Sequence, residues 1–162
     1  MGHLLGILSD SHDNVAAVEA AAEAFRVRGV LDVVHCGDVC EAEVLHLLAG
    51  FRVRVCLGNN DVARELARAA ERIGGSFAPE LDVEIGGRRF FVAHGDRWSQ
   101  LDAAVRAGRH DYVLHGHTHV PRDEAVGRTR IINPGALYRA AAWTVAVLDL
   151  GTGALESLSV GR

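Results

Sequence analysis

The chain has 162 residues, of which 49% are hydrophobic and 23% charged, and a formal net charge of −4. That balance fits a single folded domain over residues 1–162 rather than a disordered chain, and it excludes a basic surface for duplex nucleic acid. All 17 cationic side chains are arginine, so no lysine is present to act as a phosphate clamp or a Schiff base.

His3–Leu8 is a continuous apolar run and reads as a buried strand, followed by the polar stretch Ser9-Asp10-Ser11-His12-Asp13-Asn14. Val15–Val27 has helical apolar spacing and stops at Gly29. Val30–His35 is a second strand leading into Gly37-Asp38, and Glu41–Ala49 is a short helix. Phe51–Leu57 is a third strand ending at Gly58-Asn59-Asn60-Asp61, with a helix over Val62–Ile73. Three rounds of strand, loop and helix predict a parallel sheet with helices packed on it.

The rhythm then changes. Leu81–Ile85 and Arg88–Ala93 flank Gly86-Gly87, a two-residue hairpin signal. His94-Gly95-Asp96 follows, then a helix over Ser99–Ala107 and a strand at Tyr112–Leu114 that runs into His115-Gly116-His117-Thr118-His119. Short strands are expected at Val120–Ala125, Thr129–Ile132, Trp143–Leu150 and Ala154–Val160. The fold class is therefore α/β: two packed mixed β-sheets flanked by helices.

Polar clusters recur where an apolar strand meets a loop, and in α/β folds ligands collect at that edge. Taken singly, Asp10, Asp38 and Asn59 read as helix caps or turn residues, and a lone His94 as structural. The segment His115–His119 is different. Three imidazoles in five residues repel one another if protonated, and neutral imidazole is the commonest nitrogen ligand for metals, so this cluster favours metal binding by itself. The ordered series gives the other positions their weight.

Asp10-x-His12, Gly37-Asp38, Gly58-Asn59, His94-Gly95 and Gly116-His117-x-His119 resemble, in order and spacing, the motifs of the calcineurin-like metallophosphoesterases. Asn133-Pro134-Gly135 and the short length resemble the small phosphodiesterase branch, which is related to the retromer scaffold subunit. The resemblance implies the αββα metallophosphoesterase sandwich and two divalent metal ions sharing Asp38 as a bridge. It assigns Asp10, His12 and His119 to the first metal, and Asn59, His94 and His117 to the second. It also implies hydrolysis of a small phosphodiester by in-line attack of a metal-bridging hydroxide. Mixed oxygen and imidazole donors suit Mn²⁺ first, with Zn²⁺, Fe or Ni²⁺ as alternatives. A phosphomonoesterase and a catalytically weak or inactive protein-binding scaffold on the same fold are the alternative readings.

One position departs from the family pattern. Many members carry a His after the ligand Asn, thought to protonate the leaving oxygen. Here Asn60 stands in its place as a weak catalytic candidate, so aryl or cyclic phosphodiesters are expected to be preferred. Asp96 stands where relatives often have a second His. Trp98, Arg97, Tyr138 and Arg139 are candidates for the pocket border. His35 and His46 are read as packing residues, His110 as a surface loop residue, and Ser9 and Ser11 as lacking an activating base. Cys36, Cys40 and Cys56 contain no Cys-x-x-Cys pair and read as reduced, and no signal peptide or membrane span is recognised, so a cytoplasmic protein is expected. The many short strands leave edges through which copies could pair as a homo-oligomer.

Overall fold

The computed structural model describes residues 2–161. Strands β1 (Leu4–Leu8), β2 (Asp32–His35), β3 (Arg52–Cys56) and β4 (Ser76–Ala78) pair in parallel. Strands β10 (Thr144–Asp149) and β11 (Leu155–Ser159) add to the free side of β1 in antiparallel fashion, giving the order β11-β10-β1-β2-β3-β4. The second sheet contains β5 (Leu81–Ile85), β6 (Arg88–Val92), β7 (Tyr112–Leu114), β8 (Arg122–Val126) and β9 (Thr129–Asn133), in the order β5-β6-β7-β9-β8. It is also mixed, since β6, β7 and β9 run parallel whereas β5 and β8 are antiparallel to their neighbours.

The two-residue side-chain period of a strand sorts this chain into layers. On β1, Leu5 and Ile7 face the second sheet, whereas Leu4 and Leu8 face α1 (Val15–Val27), where Gly6 lies under the Phe25 ring. Val145 and Val147 on β10 face the helices, and Ala146 and Leu148 face the second sheet. On the second sheet, Phe90, Tyr112, Leu114 and Ile132 point inward, while Val113 and Ile131 point outward to Leu101 and Ala104 of α3 (Trp98–Ala107). Helix, sheet, sheet and helix therefore stack as an αββα sandwich, in agreement with the sequence reading.

Two local expectations need amending. The Glu41–Ala49 segment is a 3-10 helix over Ala42–Leu48, packed between α1 and α2 (Ala63–Arg72) rather than carrying a full α-helical face. Strand β4 was not anticipated, because three residues within Gly-Gly-Ser-Phe-Ala carry no alternation to read, and pairing with β3 alone defines it. The Gly86-Gly87 hairpin forms as expected, with both φ values positive (55° and 74°), which a two-residue turn between twisted strands requires. No helix among the described residues is long and apolar enough to cross a membrane.

The sheet topology places the site. Asp10 follows β1, Asp38 follows β2 and Asn59 follows β3 in the first sheet. His94 follows β6, His115–His119 follow β7 and Pro134 follows β9 in the second. All six are carboxyl ends of parallel strands, so both sheets deliver their polar loops to one edge of the sandwich.

Candidate active site

The cap reading of the acidic residues does not survive in three dimensions. Helix α1 is capped by Asn14, whose Oδ1 accepts from the Ala17 N–H at 3.2 Å, and not by Asp10. The N–H of Glu41, before the 3-10 helix, is taken by Asp13 rather than by Asp38. Asp10 and Asp38 are instead buried, at 0% and 2% exposure. An ionised carboxylate at such a depth needs partners, and each has them on one side only.

For Asp10, Oδ2 accepts from the Ser9 hydroxyl at 2.5 Å and from the His117 backbone N–H at 3.0 Å. Its Oδ1 has no hydrogen-bond partner among the described residues, and it faces His119 Nε2 at 3.2 Å and the Nε2 atoms of His12 and His94 at 3.9 Å each. For Asp38, Oδ1 accepts from the Asn60 backbone N–H at 2.9 Å and Oδ2 from the Asn60 side chain at 2.8 Å. The same Oδ2 lies 3.3 Å from His12 Nε2 and 3.4 Å from His94 Nε2. Ligand atoms of Asp10, His12 and His119 fall within 4.8 Å of one another, as do those of Asp10, Asp38 and His94. Each carboxylate thus stands between imidazoles from different loops. Asn59 and His117 pair with each other, Oδ1 to Nδ1 at 3.1 Å, and adjoin this cluster where the His117 ring meets the His94 ring edge-on at 5.1 Å.

The imidazoles are oriented from behind. His94 Nδ1 lies 2.9 Å from the Cys36 carbonyl, which can only accept, so Nδ1 carries a proton and Nε2 is the atom turned to the carboxylates, free to act as a ligand once its own proton is displaced. His12 Nδ1 lies 3.3 Å from Cys40 Sγ. Buried and without hydrogen-bond partners, Asp10 Oδ1, His12 Nε2 and His94 Nε2 converge from two loops, those after β1 and β6. Such a set of inward-facing oxygen and nitrogen donors fits divalent cations and little else.

Electrostatics agree with that reading. Burial pushes the Asp38 carboxyl up, but the His94 imidazole and the two Asn60 N–H groups outweigh it and hold Asp38 well below the usual carboxylate range. Burial pulls His94 down, and Asp38, Asp10 and the Cys36 carbonyl overcome it, raising this imidazole to about 8.

The backbone is strained where these side chains start. Asp10, His12, Asp38, His117 and His119 all have positive φ, between 39° and 66°, as does Cys40. Each such non-glycine residue costs on the order of 1–3 kcal/mol and persists only where its surroundings impose it. The motif glycines explain how the loops fit together. A Cβ on Gly58 would stand 2.1 Å from the Asp38 backbone nitrogen, one on Gly37 2.7 Å from the Gly58 nitrogen, and one on Gly116 2.4 Å from Asp10 Oδ2.

Several supporting residues were not recognised from sequence. Asp61 reads as a turn residue, yet its Oδ2 accepts from the Asp38 and Gly58 N–H groups and its Oδ1 from Cys40 N–H, each at 2.8 Å. It stitches the second and third loops together. Asn133, first of the Asn-Pro-Gly turn, donates to the Gly116 carbonyl at 3.1 Å and to Thr118 Oγ1 at 3.0 Å, tying down the histidine loop.

His35 lies 3.0 Å from the Ser11 hydroxyl, so Ser11 does have an imidazole neighbour. However, the Gly37 N–H donates to His35 Nδ1, which places the ring proton on Nε2, so His35 offers Ser11 a donor and not a base. Burial also depresses His35 to about 3 and keeps it neutral. His115 turns away from the cluster, buried and edge-on to Trp98, with Nδ1 3.0 Å from the Gly116 carbonyl. His110 is not a surface residue but 4% exposed, between the Phe91 ring and Asp82, and His46 lies on the exposed side of its helix. Asp96 is exposed, and none of the contacts above involves it.

Comparison with known proteins follows the same lines. Residues 4–153 match the calcineurin-like phosphoesterase superfamily domain. A phosphodiesterase of Methanocaldococcus jannaschii is 33% identical over 155 residues, covering 90% of this chain and 92% of that protein. A probable metallophosphoesterase of Bacillus subtilis is 30% identical over 137 residues, covering 81% and 73%. The solved structure of an archaeal phosphodiesterase superposes with a TM-score of 0.91 at 31% identity, covering 96% of this chain and 99% of that one. Strand order, the loops that meet at the sheet edge and the sequence match over most of the length agree, and the chain belongs to the calcineurin-like phosphoesterase superfamily.

Proposed function

We propose that this enzyme hydrolyses small phosphodiesters at a pair of divalent metal ions, of which Mn²⁺ suits the donors best. The observation that carries this reading is the convergence of Asp10 Oδ1, His12 Nε2 and His94 Nε2, buried and without hydrogen-bond partners. Asp10, His12 and His119 would hold one ion, and Asn59, His94 and His117 the other. Asp38 would serve both, since its Oδ2 lies nearly equidistant from His12 and His94. Bound ions of this kind lower the pKa of water near neutral pH and neutralise charge on phosphoryl oxygens.

The chain's own residues do the rest. Asp10 and Asp38 keep one oxygen edge free because Ser9, the His117 N–H and Asn60 occupy the other lone pairs. Asn59 and His117 offer neutral donors, so they do not cancel the positive charge a phosphodiester needs. Asn60 positions Asp38 through two N–H groups and has no acidic proton to give a leaving oxygen. The leaving group must therefore depart with little protonation, which favours aryl and cyclic phosphodiesters over alkyl ones. With three free cysteines, we place the protein in the cytoplasm.

The test is removal of metal with chelator, return of Mn²⁺, and assay of a bis-aryl phosphodiester. Turnover should vanish and return, and Asn60→His should selectively raise turnover of an alkyl ester. A folded protein that is inactive with Mn²⁺, Zn²⁺, Fe²⁺ and Ni²⁺ alike would favour the scaffold reading.

Metal uptake should also depend on pH in a defined direction. His94 holds a proton up to about pH 8 in the metal-free protein, and a metal must displace it. Affinity should therefore rise as pH climbs towards that value and level off above it. Calorimetric titration at pH 7 in buffers of different ionisation enthalpy should detect the released proton. Affinity unchanged between pH 6 and 8 would contradict a ligand role for His94.

A further inference from the structure

Beside the metal-binding cluster, the loop after Asn133-Pro134-Gly135 carries a cation that fold stability does not explain. The loop is tied to the site. The Leu137 N–H donates to the Asp10 carbonyl at 3.2 Å, and Asn14 Nδ2 donates to the Leu137 carbonyl at 2.7 Å. Tyr138, next along, lays its ring on the His12 imidazole at 4.7 Å between centroids and 30° between planes. The Arg139 guanidinium lies over the Tyr138 ring, 5.1 Å from its centroid. Arg139 is exposed, and among the described residues it forms no ion pair with any carboxylate. It also has a φ of 44°, a strained conformation that a long exposed side chain gains nothing by adopting.

From this arrangement we infer that Arg139, steadied by Tyr138, is the substrate's phosphate clamp: it pairs with a non-bridging oxygen of the phosphodiester on the His12 side of the centre. The inference rests on the phosphodiesterase reading and supplies a contact which that reading lacks. A phosphodiester monoanion presents two non-bridging oxygens, and a guanidinium matches such a pair better than any other side chain. Stacking on Tyr138 limits the rotamers Arg139 samples before substrate arrives, and a guanidinium keeps its full charge against a ring face. With no lysine in the chain, arginine is the permanent side-chain cation the sequence offers for this task.

Binding of inorganic phosphate to the Mn²⁺-loaded protein, measured by calorimetry, tests the clamp without turnover. Arg139→Ala should weaken phosphate by about ten- to hundredfold, as expected for loss of a charge-assisted hydrogen bond, and Arg139→Lys should recover part of it. Arg139→Gly removes strain together with charge, so it should melt no lower than the parent and still lose phosphate. Tyr138→Phe should bind phosphate as the parent does. In the hydrolysis assay, KM should rise by a similar factor with kcat nearly unchanged.

The two readings fail differently. Arg139-dependent phosphate binding without hydrolysis under any metal would retain the clamp and remove the enzyme assignment. Hydrolysis with an unchanged KM in Arg139→Ala would retain the enzyme and remove the clamp. Parent-like phosphate affinity in Arg139→Ala, or no phosphate binding by the loaded parent, also overturns the clamp.

Discussion

Asp38→Ala and Asp38→Asn should each cut kcat/KM on a bis-aryl phosphodiester by on the order of a thousandfold or more, because each weakens both metals at once. The two variants separate charge from shape. Asparagine tolerates the positive φ of 57° at this position and keeps one oxygen donor, whereas alanine removes the donors and strains the backbone. If bridging by an anionic carboxylate is what matters, both variants lose activity to a similar degree. His119→Ala should be milder, since its Nε2 faces Asp10 and its ring meets His12, so on the proposed assignment it would serve the first metal alone. Metal analysis after dialysis should find the Asp38 variants depleted of both ions and His119→Ala depleted of one. Two ions retained in the Asp38 variants would contradict the bridging role.

Gly58→Ala should be nearly as damaging, although glycine takes part in no chemistry. A Cβ there meets the Asp38 backbone nitrogen at 2.1 Å and Asp38 Oδ1 at 2.2 Å, and a backbone atom cannot swing aside as a flexible side chain could. Relief requires the second and third loops to part, against the Asp38 and Cys40 N–H groups that Asp61 holds across them. Overpacking of this kind costs about 3 kcal/mol of stability. A shift of Asp38 by about 1 Å is expected to lower turnover by about a hundredfold. Gly74→Ala is the matching control, with a φ of +71° and open space around it. It should lower the melting temperature slightly, through the cost of about 1 kcal/mol for a left-handed residue with a Cβ, and leave kcat/KM intact. Equal activity in Gly58→Ala and Gly74→Ala would show that close approach of the loops is not what sets Asp38.

Much of the fold was legible because its layers follow from alternation. Helix α1 begins and ends where the apolar spacing does, and β5 and β7 match their expected bounds. The site was legible as an ordered series for a related reason. An apolar strand that ends on Asp, Asn or His brings that residue to the sheet edge whatever else the chain does. What was not legible lies in contacts between loops distant in sequence. Asp61 looks like any turn aspartate until the Asp38 and Cys40 N–H groups arrive from the loop after β2. The left-handed backbone at Asp10, His12, Asp38, His117 and His119 is only weakly signalled by residue type, since aspartate and histidine enter that region more often than most residues yet far more of them lie outside it, and glycine is its usual sign. His110 was misread because Arg109, Asp111 and Gly108 around it suggest a solvated loop, whereas packing against Phe91 buries it.

The strain concentrated at five of the proposed ligand positions would also set how metal and fold are coupled. Without ions, the site keeps two buried carboxylates and strained loops in place through Ser9, Asn60, Asp61 and Asn133. Binding energy from the ions then adds to folding stability by mass action.

The most direct measurement of the dinuclear assignment is hydrolysis followed while metal-free protein is titrated with Mn²⁺, with bound metal counted at each point. Turnover should stay low through the first equivalent and rise with the second, as bound metal approaches two ions per chain. Full activity at one bound ion, or two bound ions without turnover of any phosphodiester, would contradict it.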